Sequence, residues 1–225
     1  MKLSRTYSPA HQRRVNSIRV RLERFLDRRG YTTVDMPLIE PTQLFLRKSG
    51  GELAAQMYSF RDPGGQDVSL RPEFTSSVVR SFVDGLLKGP LPQRWQYAGP
   101  VFRYEADGNR GEFEQLGAEL LGPGNSSADA EVIALAIQGL SVLGIRGHQL
   151  RVGHMGVVAA MLEGLGLSER GRVFITKNLH VLRSRAESVD SIRERARQIG
   201  LLDSTDTNRF TTLARGMGSD DALDM

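Results

Sequence analysis

The chain has 225 residues, 40% hydrophobic and 25% charged, with a net charge of +4 and no cysteine. That is enough for one large domain or a domain with a smaller attachment, at a composition ordinary for a soluble globular protein. Missing thiols exclude disulfides, thiolate nucleophiles and thiolate metal sites, and no apolar run reaches the length of a membrane span. With no signal-peptide core at the N-terminus, a cytoplasmic location is expected.

Ser8-Pro9 predicts an N-cap with proline at the first helical position. Val15, Ile18, Leu22, Phe25 and Leu26 then recur at helical spacing until Gly30. Lys2, Arg5, Arg13, Arg14, Arg19, Arg21, Arg24, Arg28 and Arg29 crowd this opening segment. They are read as a solvated helix face rather than a nucleic-acid surface. Tyr31 to Met36 predicts a strand running into Pro37, and residues 57–61 and 67–72 predict two strands around the turn Asp62-Pro-Gly-Gly65. Thr75 to Leu87 reads as a helix. Trp95 to Glu105 and Glu112 to Leu121 read as two strands, ended by Gly122-Pro-Gly124.

Ser126 and Asp129 give a capping-box signal for the helix that carries Val132, Ile133, Ala136, Ile137, Leu140 and Leu143. His148 to Val152 predicts a further strand. Short helices are expected over 156–165, 168–183, 188–199 and 204–214. Two regions follow: a mixed sheet region over 1–155 and a helical segment over 156–225. Short turns between most strands predict an α+β fold with a largely antiparallel sheet and helices against one face. The polar residues from Gly216 onward make either a disordered tail or the edge of something longer.

Five polar residues interrupt the central strand pair: Arg103, Glu105, Arg110, Gln115 and Glu119. Buried without partners they would be costly, so a ligand with anionic and cationic groups is one account of them. Alternation puts Phe113, Gln115, Gly117 and Glu119 on one face, and a solvent-exposed polar face is the other account. Register separates the two. A tight turn at Asp107-Gly108 would set Arg103 opposite Glu112 and away from Gln115. A loop across about 106 to 112 would set Arg103 opposite Gln115. Leu70-Arg-Pro-Glu-Phe-Thr75 is a second candidate: either Glu73 binds an ammonium group, or Glu73 and Thr75 cap the following helix. His11, His148, His154 and His180 have no metal-ligand spacing, and no Ser-His-Asp arrangement stands out.

These residues carry a resemblance. Gly30-Tyr31 through Pro37 with Glu40 and Leu44-Phe45, the segment Leu70–Thr75, and Val101–Glu105 with Glu112–Glu119 resemble the three N-terminal motif regions of the class II histidyl-tRNA synthetase core. That group includes the non-tRNA regulatory subunit of ATP phosphoribosyltransferase. The resemblance implies a class II synthetase-like antiparallel sheet flanked by helices, and a homodimer. It implies that Glu73, Thr75, Arg103, Gln115 and Glu119 bind histidine, with Arg103 and Arg110 open to ATP.

The loop Ala106–Gly111 has one arginine and an acid where the synthetase carries several basic residues. Ser126–Leu135 and Arg151–Gly156 look more like the regulatory subunit, whereas Glu73 looks more like the synthetase. No third motif or anticodon-binding domain follows, and the chain stops inside what resembles a helical insertion. The first expectation is a histidine-binding regulatory subunit, with a short catalytic partner, no catalytic residue, no metal and no cofactor. The second is the N-terminal part of a histidine–tRNA ligase, with ATP, Mg2+ and tRNA. The third is a dimerisation scaffold without a ligand.

Overall fold

The computed structural model describes residues 8–47, 51–104, 111–164, 169–184 and 189–198, together with Gly200. The chain divides into two compact units, Met1–Leu150 and Arg151–Met225.

The first unit opens with helix α1 (Pro9–Asp27). The Ser8 hydroxyl accepts from the His11 backbone N–H at 3.2 Å, so the cap anticipated from Ser8-Pro9 is formed. Gly30 takes φ +80°, a left-handed conformation that turns the chain out of the helix. It leads into β1 (Thr32–Thr33), which pairs parallel with β5 (Gln93–Phe102). In turn β5 pairs antiparallel along its whole length with β6 (Glu112–Leu121). A second sheet has β4 (Asp67–Leu70) between β2 (Ile39–Pro41) and β3 (Ser59–Arg61), antiparallel to both. Short helices α2 (Thr42–Leu46) and α3 (Gly51–Ala55) connect β2 to β3. Then α4 (Thr75–Val83) follows β4, and α5 (Ser126–Val142) follows β6.

The expected α+β class with a mainly antiparallel sheet is what the chain forms. Helices cover both faces of the central sheet, however, not one. Phe25, Leu26, Tyr31 and Leu135 pack with Leu116 and Ala118 beneath α1 and α5. Met36, Phe74, Val78, Trp95, Tyr97 and Val101 form a core with Phe113 on the other face, under α4. Alternation explains the division: odd-numbered residues of β5 and β6 face α4, and even-numbered ones face α1 and α5. Each large side chain buried here contributes roughly 1.5–3 kcal/mol, so the two-sided sheet is anchored from both directions.

Polar staples hold the α1/α5 side. The Glu131 carboxylate on α5 accepts two hydrogen bonds from Arg94, both at 2.8 Å, and one from the Tyr31 hydroxyl at 2.9 Å. Those bonds from Arg94 hold the Glu131 carboxyl down at about 2. Burial, then the bond to Glu131, pushes the Tyr31 hydroxyl up to about 12. The Gln96 amide donates to the Asp27 carboxylate and, at 3.0 Å, to the Tyr31 carbonyl.

Two local expectations differ. The cap of α5 is Asn125, whose side chain accepts from Ala128 N–H at 3.0 Å. It sits one residue before the proposed Ser126, because Asn at that point already has the extended backbone a cap needs. Residues 148–152 run as irregular chain instead of a strand, outside the ladders of both sheets. The second unit contains α6 (Met155–Gly164), α7 (Glu169–Ser184) and α8 (Val189–Gln198), with α7 packed on both neighbours. The helix expected over 204–214 lies outside the described residues. Among the described residues, no helix is long and apolar enough to cross a membrane.

Candidate functional site

The β5–β6 register is neither of the two anticipated. Gln115 lies opposite Gly99 and Phe102 opposite Glu112. The pairing continues as Arg103 N–H donates to the Gly111 carbonyl at 3.0 Å. Arg103 therefore stands four residues along the ladder from Gln115, not across from it. The parity still puts both on the face toward α4, because directly opposed residues share a face and Gly111 and Gln115 are an even number apart. The Arg103 guanidinium lies 5.2 Å from the centre of the Phe113 ring on that face. Arg110 and Glu105 lie outside the described residues.

Glycine decides what the middle of the face looks like. A Cβ at Gly117 would fall 2.4 Å from the Tyr97 ring, directly across the ladder. The ring lies over the bare backbone, and Phe74 stacks on it at 4.4 Å with an 11° interplanar angle. The Tyr97 hydroxyl donates to Glu119 Oε1 at 3.0 Å, and Thr75 Oγ1 donates to the same oxygen at 2.8 Å. Burial pushes the Tyr97 hydroxyl far up, so it remains a donor at any ordinary pH. A Glu119–Thr75–Tyr97 cluster results, with two donors on one carboxylate oxygen and the second oxygen unengaged by any described side chain.

The other nominated residues stand nearby with different duties. Glu73 accepts from the Ser76 backbone N–H at 3.0 and 3.2 Å, so its carboxylate caps α4. Thr75 does not cap; its hydroxyl turns to Glu119. Arg103 Nε donates to the Pro72 carbonyl at 2.9 Å, tying the end of β5 to the segment that carries Glu73. Gln115 Oε1 is buried and has no hydrogen-bond partner among the described residues. An unpaired buried carbonyl of this kind costs roughly 1–3 kcal/mol unless something supplies a donor. All five side chains are half-buried, none turned fully to solvent.

Two residues of this face escaped the sequence reading. Tyr97 was legible in principle, since a lone glycine inside a strand marks close approach by a large cross-strand neighbour. Arg71 was not. It is 3% exposed, donates to the Pro100 carbonyl at 2.9 Å and the Met36 carbonyl at 2.6 Å, and lies 3.9 Å over the Phe74 ring. Its Nη2 would be 2.8 Å from a Cβ at Gly99, the residue opposite Gln115. Burial lowers its pKa from the usual arginine value. The face thus combines open acceptors, one buried guanidinium and a stacked aromatic floor, which suits a small ligand bearing both N–H donors and a carboxylate.

The sequence profile described as histidyl-tRNA synthetase matches residues 4–223. The chain belongs to the histidyl-tRNA synthetase family. A histidine–tRNA ligase from Methanococcus vannielii is 34% identical over 178 residues, covering 78% of this chain and 42% of that protein. One from Pyrococcus horikoshii is 40% identical over 142 residues, covering 62% and 33%. The solved structure of an ATP phosphoribosyltransferase regulatory subunit/histidyl-tRNA synthetase from Bacillus halodurans superposes with a TM-score of 0.75 at 26% identity, covering 98% of this chain and 59% of that one. The chain spans less than half the length of these two ligases. In this synthetase-family chain, the segment Leu70–Thr75 and the β5–β6 pair, distant in sequence, meet at the Thr75–Glu119 hydrogen bond.

Proposed function

We propose that this chain is the histidine-binding part of a regulatory subunit of ATP phosphoribosyltransferase. The observation that carries histidine is the pair of unsatisfied acceptors on one sheet face: Gln115 Oε1, buried without a partner among the described residues, and the second oxygen of Glu119, unengaged by any described side chain. A ligand satisfying both needs two separated donors, and histidine offers an α-ammonium group and an imidazole N–H. Its carboxylate would answer the guanidinium of Arg103. Glu73 would act through the start of α4, by fixing Thr75 rather than by touching the amino acid. Bound histidine would shift the balance between two assembly states of the subunit and a short catalytic partner, by its different affinity for each. In this reading the chain forms a homodimer within the larger assembly and carries no catalytic residue of its own.

The regulatory role, as against histidine binding alone, draws support from the match of 98% of this chain to 59% of the Bacillus halodurans protein, whose name includes the regulatory subunit. The single arginine in the Ala106–Gly111 loop favours it too, since phosphate contacts need positive charge or free N–H groups. A second reading has its own support in the names of the archaeal relatives. In it the chain is the N-terminal part of a ligase that activates histidine with ATP and Mg2+ and passes it to tRNA, with Arg103 and Arg110 near the phosphates. Two assays on the complete protein separate the readings. Histidine-dependent inhibition of an added short catalytic subunit, without histidine-dependent ATP–pyrophosphate exchange, is the expected result. Robust exchange would establish the ligase instead.

A further inference from the structure

A cleft of about 750 Å3 lies on the far side of the central sheet from the histidine face, between α1 and α5. Four arginines line it: Arg21, Arg24, Arg28 and Arg29, all within the last two turns of α1 and the residues just after it. Two are fixed in place. Arg21 donates to the Val142 carbonyl at the end of α5, and Arg29 donates to the Gln138 side chain and stacks 3.7 Å over the Phe25 ring. Arg24 and Arg28 are exposed, and their guanidinium groups engage no carbonyl or carboxylate among the described residues.

No carboxylate among the described residues lines the cleft. The acids nearest in sequence are occupied elsewhere: Glu23 faces Arg19 at 3.8 Å, and Asp27 accepts from Gln96 on the sheet. The negative end of α1 accounts for one cation, and Arg29 fills that role by donating to the Phe25 carbonyl at 3.1 Å. Three further guanidinium groups on one helix end repel one another without a counter-charge. A solvated ridge would spread them around the helix, whereas here they converge on one hollow with an apolar wall of Phe25 and Val142.

We propose that this cleft binds an oligophosphate anion, the pyrophosphate group alone or as the tail of a nucleotide. Fixed Arg21 and Arg29 form its rigid rim, and Arg24 and Arg28 close on the phosphates with forked, charge-assisted hydrogen bonds. The site is separate from the histidine face and does not depend on what binds there.

The test is calorimetry on the complete protein in low-salt, phosphate-free buffer, with pyrophosphate and then ADP as probes. Arg24→Gln/Arg28→Gln should weaken pyrophosphate binding by at least about tenfold, whereas Arg13→Gln/Arg14→Gln, which removes the same charge farther up α1, should leave it intact. Gln138→Glu supplies the cleft with its own anion beside Arg29 and should weaken binding similarly while α1 keeps every arginine. ADP binding tighter than pyrophosphate would point to a nucleotide, and equal binding to the phosphates alone; either supports the site. The proposal is overturned if pyrophosphate gives no heat at millimolar concentration. It is also overturned if both double variants lose affinity equally, or if only a short RNA duplex binds.

Discussion

The two faces of the central sheet treat their half-buried carboxylates differently. On the α1/α5 side, Glu131 takes bonds on both oxygens from Arg94 and one from Tyr31, and the Gln96 amide nitrogen finds Asp27 and the Tyr31 carbonyl, while Gln96 Oε1 is buried without a partner among the described residues. On the α4 side, Glu119 is half-engaged and Gln115 Oε1 has no partner among the described residues. A closed polar network holds helices to a sheet. A carboxylate with one oxygen unengaged by any described side chain, half-buried over an aromatic floor, is where the proposed ligand supplies the missing donor.

The most severe way to break this contrast is Gly117→Val. Its Cβ would collide with the Tyr97 ring at 2.4 Å, unstacking Phe74 and cutting the bond to Glu119. Overpacking of this kind should cost about 3 kcal/mol in denaturant unfolding and abolish histidine binding together.

A smaller loss tests the closed face. Glu131→Gln should destabilise by about 1–2 kcal/mol at neutral pH and leave histidine affinity unchanged. The folded Glu131 carboxyl sits at about 2 against an ordinary 4.5. Its contribution is therefore complete above pH 4.5 and disappears as pH falls toward 2. Unfolding curves of the two proteins should converge over that window; a gap that persists at its acid end would deny the ion pair its role.

The smallest effect on stability has the most telling sign. Gln115→Leu removes an acceptor that has no donor among the described residues, so thermal unfolding should show no loss, or a gain of about 1 kcal/mol. Histidine binding should fall sharply in the same protein. A clear loss of stability would mean that Gln115 is already satisfied within the fold.

Much of the first unit was legible from local rules. Ser8-Pro9 and Gly30 bracket α1, and the long alternating strands gave β5 and β6 within a few residues. Short elements such as β2 and α2 were missed because three to five residues carry too little periodicity. The nominated face was found through its residue types, but its geometry was not. Turn length was expected to choose between two registers, and a third formed. What brought Arg103 and Gln115 to one face was parity alone. Tyr97 and Arg71 read as ordinary strand residues until the fold set them over Gly117 and Gly99. Glu73 shows the reverse: a carboxylate chosen for ligand chemistry spends its oxygens on the Ser76 N–H.

The most direct test of the open face is a paired titration of histidine into the complete protein and its Glu119→Gln variant, with melting temperature followed in the same samples. Losing the charge-assisted bond should weaken affinity by about 1.5–3 kcal/mol while the melting temperature barely moves. If affinity and melting temperature fall in step, or the unaltered protein takes up no histidine at millimolar concentration, Glu119 is only a brace between β6 and α4 and the face binds no histidine.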